Sequence, residues 1–160
     1  MRKTLFYISS IAILCITIIS CTSECYVSKE AKLGISFIDS TTYKAKNITS
    51  FTAFGDGNDS ILYKNASVSA IYLPLHSNNT VTDYKFVLPT RVEGKSTPDT
   101  ITLHIEHTPI PQLISEECGC TMYHSLRDVT LENNTYNFKL QVTNQNVVND
   151  DSETCIKILH

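Results

Sequence analysis

The sequence predicts an all-β protein: an antiparallel β-sandwich of immunoglobulin-like architecture with about 8–10 short strands, preceded by a signal peptide. Apolar and polar residues alternate along most of the chain, which is strand periodicity. Turn-forming residues separate these segments, and no extended helical pattern follows the first 20 residues. Hydrophobic content of 42% and charged content of 18% are typical of a folded chain, while the lack of Trp argues against a true antibody-type domain.

Residues 1–20 are predicted to be a lipoprotein signal peptide. A short positive start precedes an apolar run that ends in Ile18-Ile19-Ser20-Cys21. The run is too short for a membrane-spanning helix, and the bulky Ile18 fits an ordinary secretory cleavage site poorly. The ending resembles a bacterial lipobox, which implies cleavage before Cys21 and a diacylglycerol on its sulfur.

Residues 21–29 are predicted to be a lipidated tether that holds the protein in the cell envelope. Two or three acyl chains on Cys21 give a stable membrane anchor, whereas one chain gives only marginal binding. An Asp directly after the lipidated cysteine would favour the inner membrane. This chain has Thr22 at that position, so the outer membrane is favoured.

Residues 30–160 are predicted to form a single β-sandwich domain. The clearest strand spans 100–106, and Thr108-Pro109-Ile110-Pro111 is predicted to end it. Residues 144–152 are predicted to form a loop. The other predicted strands are 32–38, 49–54, 60–63, 68–73, 84–88, 120–123, 129–131, 136–142 and 155–159.

The cysteines predict a disulfide-stabilised domain. One of the six lies in the signal peptide and one is the lipidation site. The other four are expected to form two disulfides, as is usual in exported chains. A bond within Cys118-Gly119-Cys120 is disfavoured because so short a loop reaches good geometry with difficulty. The favoured pairs are Cys25–Cys118 and Cys120–Cys155, and the crossed pairing stays open.

The closely spaced Cys118 and Cys120 also have a redox interpretation and, together with His124, a metal-binding one. The preceding Glu116 and Glu117 would raise a thiol pKa, which disfavours redox chemistry. A zinc site would lack a clear fourth ligand. Structural disulfides are therefore the favoured interpretation, and no cofactor is predicted.

A glycine-bearing turn contains the weak candidates for a cation site, Asp56, Asn58 and Asp59. Their oxygens suit a hard cation such as calcium, but the turn lacks the EF-hand spacing, so a plain hairpin turn is favoured and no metal is predicted.

His104 and His107 are expected on opposite faces of one strand, whereas His104 and Glu106 share its polar face as a solvated pair.

The sequence does not predict an enzyme or a nucleic-acid-binding protein. No nucleophile elbow, zinc-protease pair or phosphate loop occurs, and the net charge is −3. Four tyrosines in predicted strands could form a ligand-facing surface, although packing in a sandwich is the favoured interpretation: Tyr72, Tyr84, Tyr123 and Tyr136.

Several motifs together resemble those of a family of small uncharacterised lipoproteins of Gram-negative bacteria, domain of unknown function 6452. These are the lipobox cysteine followed by Cys25, Ile-Tyr-Leu-Pro-Leu at 71–75, Asp-Thr-Ile-Thr-Leu at 99–103, Glu-Cys-Gly-Cys at 117–120 and Ile-Lys-Ile at 156–158. The resemblance implies an envelope location and a similar fold, and it supplies no catalytic residue. Ordinary members have an apolar or aromatic residue after Cys-Gly, which implies that Cys120 and Cys155 are an added pair.

We therefore expect a lipid-anchored envelope protein with a non-catalytic binding or structural role and an unknown protein or glycan partner. One alternative is a thiol–disulfide protein that uses Cys118 and Cys120. The other is a secreted glycoprotein, whose acceptor sites would be the five Asn-x-Ser/Thr sequons at Asn47, Asn58, Asn65, Asn78 and Asn133.

Overall fold

The computed structural model describes residues 30–57, 60–92, 95–116, 118–150 and 153–160. The predicted signal peptide and tether, 1–20 and 21–29, lie outside these ranges and stay predictions. Within the described ranges no helix is long and apolar enough to cross a membrane. The strands are β1 Lys32–Ile38, β2 Ile48–Gly55, β3 Ile61–Val68, β4 Ala70–Pro74, β5 Val81–Val92, β6 Lys95–Ser115, β7 Gly119–Glu132, β8 Lys139–Val142, β9 Asn146–Val147 and β10 Ile156–Leu159.

The strands form two packed sheets, which confirms the predicted all-β sandwich. One sheet has four strands in the order β4-β1-β10-β8, and the other has six in the order β3-β2-β5-β6-β7-β9. Strands β1 and β10 run parallel, with Ile35 opposite Ile156. The other described strand pairs are antiparallel, so the sandwich is mixed rather than purely antiparallel.

The core lies between the sheets because alternate residues of each strand point inward. Phe37 of the four-stranded sheet contacts Phe51 of the six-stranded sheet edge to face, with 5.5 Å between ring centroids. Phe51 also lies 5.2 Å from Phe86. All three rings are buried, and burying such a ring stabilises the fold by about 1.5–3 kcal/mol relative to an exposed one. This aromatic row links the two sheets.

The prediction that residues 108–111 end a strand is wrong. Strand β6 continues through Pro109 and Pro111, which lie opposite His124 and Met122 of β7. Pairing with β5 ends where Glu106 meets Val81, so β6 has a neighbour on one side only beyond that point. Proline lacks the backbone donor and is tolerated along such a free edge.

Strand β7 joins two segments that the sequence predicted as separate strands. A β-bulge at Arg127 lies between them, because Glu106 pairs with Asp128 whereas His107 pairs with Leu126. The extra residue reverses the inward-facing alternation, which explains why the apolar pattern looked interrupted.

The predicted loop 144–152 contains β9, whose Val147 is buried. The predicted strand 136–142 is shortened to β8 because Tyr136 lies in a turn, and the Asn134 side chain pairs with both the N–H and the C=O of Phe138.

Candidate functional site

Two buried histidines form the most unusual polar cluster in the described structure. His107 of β6 and His124 of β7 are 1% and 3% exposed. They lie next to the β-bulge at Arg127, just beyond the point where β5 stops pairing with β6. Buried side chains of this type are normally hydrogen-bonded, and these two bond to each other.

A short hydrogen-bond chain runs through the pair. The backbone N–H of His76 donates to Thr82 Oγ1 over 3.1 Å, and this oxygen lies 2.8 Å from His107 Nε2. The Nδ1 atoms of His107 and His124 are 3.2 Å apart, and the rings meet edge to face. One Nδ1 must donate and the other must accept, because two protonated nitrogens would repel each other.

Burial keeps both imidazoles uncharged. Desolvation and, to a smaller extent, the charge of His107 lower the pKa of His124 to about 4. The pKa of His107 is lowered first by burial and then by His76. At neutral pH the cluster is therefore a neutral pair that accepts a proton only in acid.

The sequence analysis missed this pair although one signal was present. Every second side chain of β6 points inward, as at Ile101, Leu103 and Ile105. Two residues further along the same strand, His107 lies on the same buried face. His124 gave no such signal, because the bulge in β7 reverses its alternation.

The outer face of the same sheet carries the predicted pair of His104 and Glu106. His104 Nε2 lies 3.8 Å from Glu106 Oε1, and His104 Nδ1 lies 2.6 Å from Asp83 Oδ1 on β5. These side chains are about one third to one half exposed, so they form a solvated surface cluster. The prediction that His104 and His107 face opposite sides is confirmed by their different surroundings.

Asp56 occupies the predicted glycine-bearing turn and is engaged by a cation of the protein itself. Its Oδ1 accepts a hydrogen bond from Lys85 Nζ over 2.8 Å, and this bond lowers the pKa of Asp56. The other two candidates, Asn58 and Asp59, lie outside the described residues. In the described ranges no group of three His, Cys, Asp or Glu side chains is placed to hold a metal ion.

The favoured Cys120–Cys155 disulfide is not formed: Cys120 is an exposed free thiol and Cys155 a buried one. Cys155 Sγ contacts the carbonyl of Asn146, which pairs with Ser125 on β7. At about 3.3 Å per residue, Cys120 lies roughly 16 Å farther along that strand. A disulfide needs Cα atoms within about 7 Å, so the pair is out of reach.

Cys118 is disulfide-bonded, so it is not free to bind a metal. Its predicted partner, Cys25, lies outside the described residues, and the Cys25–Cys118 pairing stays a prediction. Since Cys155 is a free thiol, the crossed pairing with Cys118–Cys155 is not formed either.

The four tyrosines do not share a face. Tyr84 is buried, its hydroxyl donates to the carbonyl of Pro74, and burial raises its pKa. The Tyr123 hydroxyl donates to Asn149 Oδ1 over 2.5 Å. Tyr136 lines a cavity of about 250 Å³ beside His160, and the backbone N–H of Tyr72 donates to Tyr63 Oη over 2.9 Å.

Two packed sheets around a buried aromatic core define an all-β sandwich protein. A family described as "Family of unknown function (DUF6452)" matches residues 50–160, and the chain belongs to this family. The membership confirms the resemblance to domain of unknown function 6452, whereas lipidation at Cys21 stays a prediction. No curated protein and no solved structure matches the chain.

Proposed function

We propose that the protein is a lipid-anchored component of the cell envelope with a non-catalytic binding or structural role, and that Thr22 after the lipidated cysteine directs it to the outer membrane. The observation that carries this proposal is the lipobox-like ending at Cys21. Strand β1 begins at Lys32, and eleven extended residues span at most about 40 Å. A lipid on Cys21 would therefore hold the sandwich close to the membrane surface.

The state of Cys118 supports export from the cytoplasm. Disulfides persist in oxidising compartments such as the periplasm and are rare in the cytosol. A disulfide-bonded Cys118 therefore fits a protein that functions in the envelope.

A projecting hairpin supports a binding role. We call residues 107–115 of β6 and 119–125 of β7 the hairpin arm, which extends past the last pairing of β5 with β6. Ile110 is 44% exposed and Leu113 is 60% exposed on this arm. Pro109 and Pro111 remove backbone donors from its free edge, which hinders strand addition. A partner would therefore contact the arm through side chains.

The lipid anchor is tested by substituting the two cysteines at the start of the chain separately. Wild type, Cys21→Ser and Cys15→Ser are expressed at matched levels in a Gram-negative host, and membrane and soluble fractions are compared. We expect wild type and the Cys15→Ser control in the membrane fraction and processed to the mature size. Cys21→Ser is expected to stay unprocessed and to lack the mass of the lipid. Equal processing of all three proteins would overturn the anchor.

A second candidate function rests on Cys120, an exposed thiol two residues from the disulfide-bonded Cys118. Its thiolate could attack a sulfur of that disulfide, so that one S–S bond forms as another breaks and the displaced thiolate takes a proton. Incubation with oxidised glutathione tests this exchange. Glutathione on the cysteine that Cys120 displaces from the Cys118 disulfide, in wild type and Cys155→Ser but not in Cys120→Ser, would support it, because the displaced thiolate attacks oxidised glutathione and releases one reduced glutathione. A stable adduct on Cys120 would overturn it.

A further inference from the structure

The free edge of the hairpin arm lacks backbone donors where β6 extends past β5. The N–H of His107 points away from β7, because it donates to the carbonyl of Thr80 over 2.8 Å. Backbone N–H groups alternate in direction along a strand, so positions 109 and 111 face the same free edge. Both positions are proline. An edge without these two donors has fewer hydrogen bonds to lose when it leaves water.

Two exposed apolar side chains lie on either side of this edge. Leu113 is 60% exposed and Ile110 is 44% exposed. Leu113 pairs with Cys120 and Ile110 pairs with Tyr123, so their side chains lie on opposite faces of the two-stranded arm. A surface that covered one face would leave the other side chain in water. Contact through the free edge buries both.

The two strands of the arm carry no charged residue apart from two buried histidines. No Asp, Glu, Lys or Arg occurs in residues 107–115 or 119–125, although 18% of the chain is charged. A charged side chain is costly to place in lipid, so this composition suits contact with a membrane. The turn between the strands contains Glu116 and Glu117. These acidic residues favour a shallow contact that leaves the turn in the hydrated headgroup layer.

The end of the arm is tied covalently to the start of the chain. Cys118 is disulfide-bonded and the two free thiols are not its partner, so the partner is one of the first three cysteines. Cleavage before Cys21 removes Cys15, and lipid occupies the Cys21 sulfur, which leaves Cys25. This step rests on the proposed lipid anchor. Four extended residues and one disulfide then keep Cys118 within about 21 Å of the lipidated residue.

We propose that the free edge of the hairpin arm lies in the headgroup layer of the anchoring membrane, with Ile110 and Leu113 against the acyl chains. The lipid on Cys21 already confines the domain to the surface, so a weak contact is sufficient to orient it. Apolar side chains at a membrane interface bind in this shallow manner. The short covalent connection favours lipid over a protein as the surface that the arm contacts.

The test uses the mature lipidated protein with Cys155→Ser, reconstituted into phosphatidylcholine vesicles. A fluorophore on Cys120 reports on the arm, because Cys120 is exposed and lies opposite Leu113. Lipids that carry a nitroxide near the headgroup quench a fluorophore that lies in the membrane surface. We expect quenching about threefold stronger than for the same fluorophore at Tyr43→Cys in a Cys120→Ser background.

Tyr43 is a suitable reference position because it is 74% exposed and distant from the arm. The turn that contains it is bonded to the carbonyl of His160 through the N–H of Ser40. His160 lies beside Leu88, which pairs with Asp99 near the start of β6, whereas the arm contains the end of this strand.

Substitutions test which side chains make the contact. Ile110→Ser combined with Leu113→Ser is expected to reduce quenching of the Cys120 fluorophore about threefold. Ile61→Ser is the matched control, because Ile61 is an exposed apolar residue of β3, outside the arm, and is expected to leave quenching unchanged. Circular dichroism verifies that each variant is folded.

Flotation of the protein with the vesicles reports the lipid anchor separately. Protein that does not float would overturn the anchor and, with it, the membrane contact of the arm. Protein that floats but shows equal quenching at the two labelled positions would overturn the arm contact alone. Unchanged quenching in the variant that lacks both Ile110 and Leu113 would also overturn it.

Discussion

The Nδ1 atoms of His107 and His124 lie 3.2 Å apart in the interior of the sandwich. This contact requires that one of the two nitrogens carries a proton and that the other does not. Further protonation places two N–H groups against each other in a site that solvates charge poorly. The pair is thus a point where acid acts directly on the packing between β6 and β7.

We predict that the free energy of unfolding falls as the pH drops from about 6.5 towards 4. The pKa of His124 is about 4 in the folded protein, against 6.5 for an unperturbed histidine. Between these values the unfolded chain binds more protons, so stability rises with pH. The full effect is roughly 3.5 kcal/mol, because each pKa unit corresponds to about 1.4 kcal/mol, and about 2 kcal/mol of it falls between pH 7 and pH 5. Urea unfolding at pH 7 and pH 5 measures it.

Two substitutions test whether His124 causes that pH dependence. His124→Gln is expected to flatten the loss of stability between pH 7 and 5, whereas His104→Gln on the solvated outer face is expected to retain it. An unchanged pH slope in His124→Gln would show that other groups cause the loss.

The alternation of apolar residues was sufficient to predict the fold class, because each strand buries one face. It located β1, β2 and β10 to within about one residue. The alternation failed where hydrogen-bond pairing with a neighbouring strand decides whether a strand continues. Pro109 and Pro111 read as a strand end, yet they lie on an edge where no partner needs their N–H groups.

The candidate sites were harder to predict than the strands. The Cys120–Cys155 bond was favoured by counting thiols, but the position of Cys155 depends on the parallel pairing of β10 with β1, which alternation does not reveal. His160 and Phe138 are distant from Leu88 in sequence and meet only through sheet packing. Such long-range contacts leave no local pattern.

We predict that Phe51→Ala destabilises the protein by about 3–5 kcal/mol, because Phe51 is fully buried and contacts rings of both sheets. Chemical denaturation measures the change. Tyr43→Ala, which removes an exposed ring, is expected to change stability by less than about 0.5 kcal/mol. Similar losses for the two variants would contradict the assignment of Phe51 to the core.

We predict that Gly34→Ala is strongly destabilising because β1 passes very close to the segment before β10. A Cβ at this position would lie 2.1 Å from the carbonyl oxygen of Glu153 and 2.9 Å from Thr154 Cα, both backbone atoms. Relieving such a contact costs about 1–3 kcal/mol or more. Thermal unfolding measures the loss.

Gly57→Ala is the comparison for Gly34→Ala. Its Cβ would meet nothing within 4 Å, and its cost comes only from a φ of +75°. This cost is about 1 kcal/mol, so Gly57→Ala is expected to be the milder variant. The reverse order would contradict the close approach at Gly34.

We predict that, among Cys118, Cys120 and Cys155, the folded protein has one thiol that reacts rapidly with maleimide and one that is protected from it. Cys120 is exposed, whereas burial and then the charge of Glu153 raise the pKa of Cys155 to about 11. Maleimide labelling without reductant, followed by peptide mapping, is expected to modify Cys120 in the native state and Cys155 only after denaturation. Protection of Cys120 after denaturation without reductant would show that it is disulfide-bonded.

The most direct test of the envelope assignment is the mass of the N-terminal peptide from protein isolated from the native membrane. We predict that this peptide begins at Cys21 and carries a diacylglycerol, with or without an additional acyl chain on the amino group. A peptide that begins before Cys21, or an unmodified Cys21, would contradict the account.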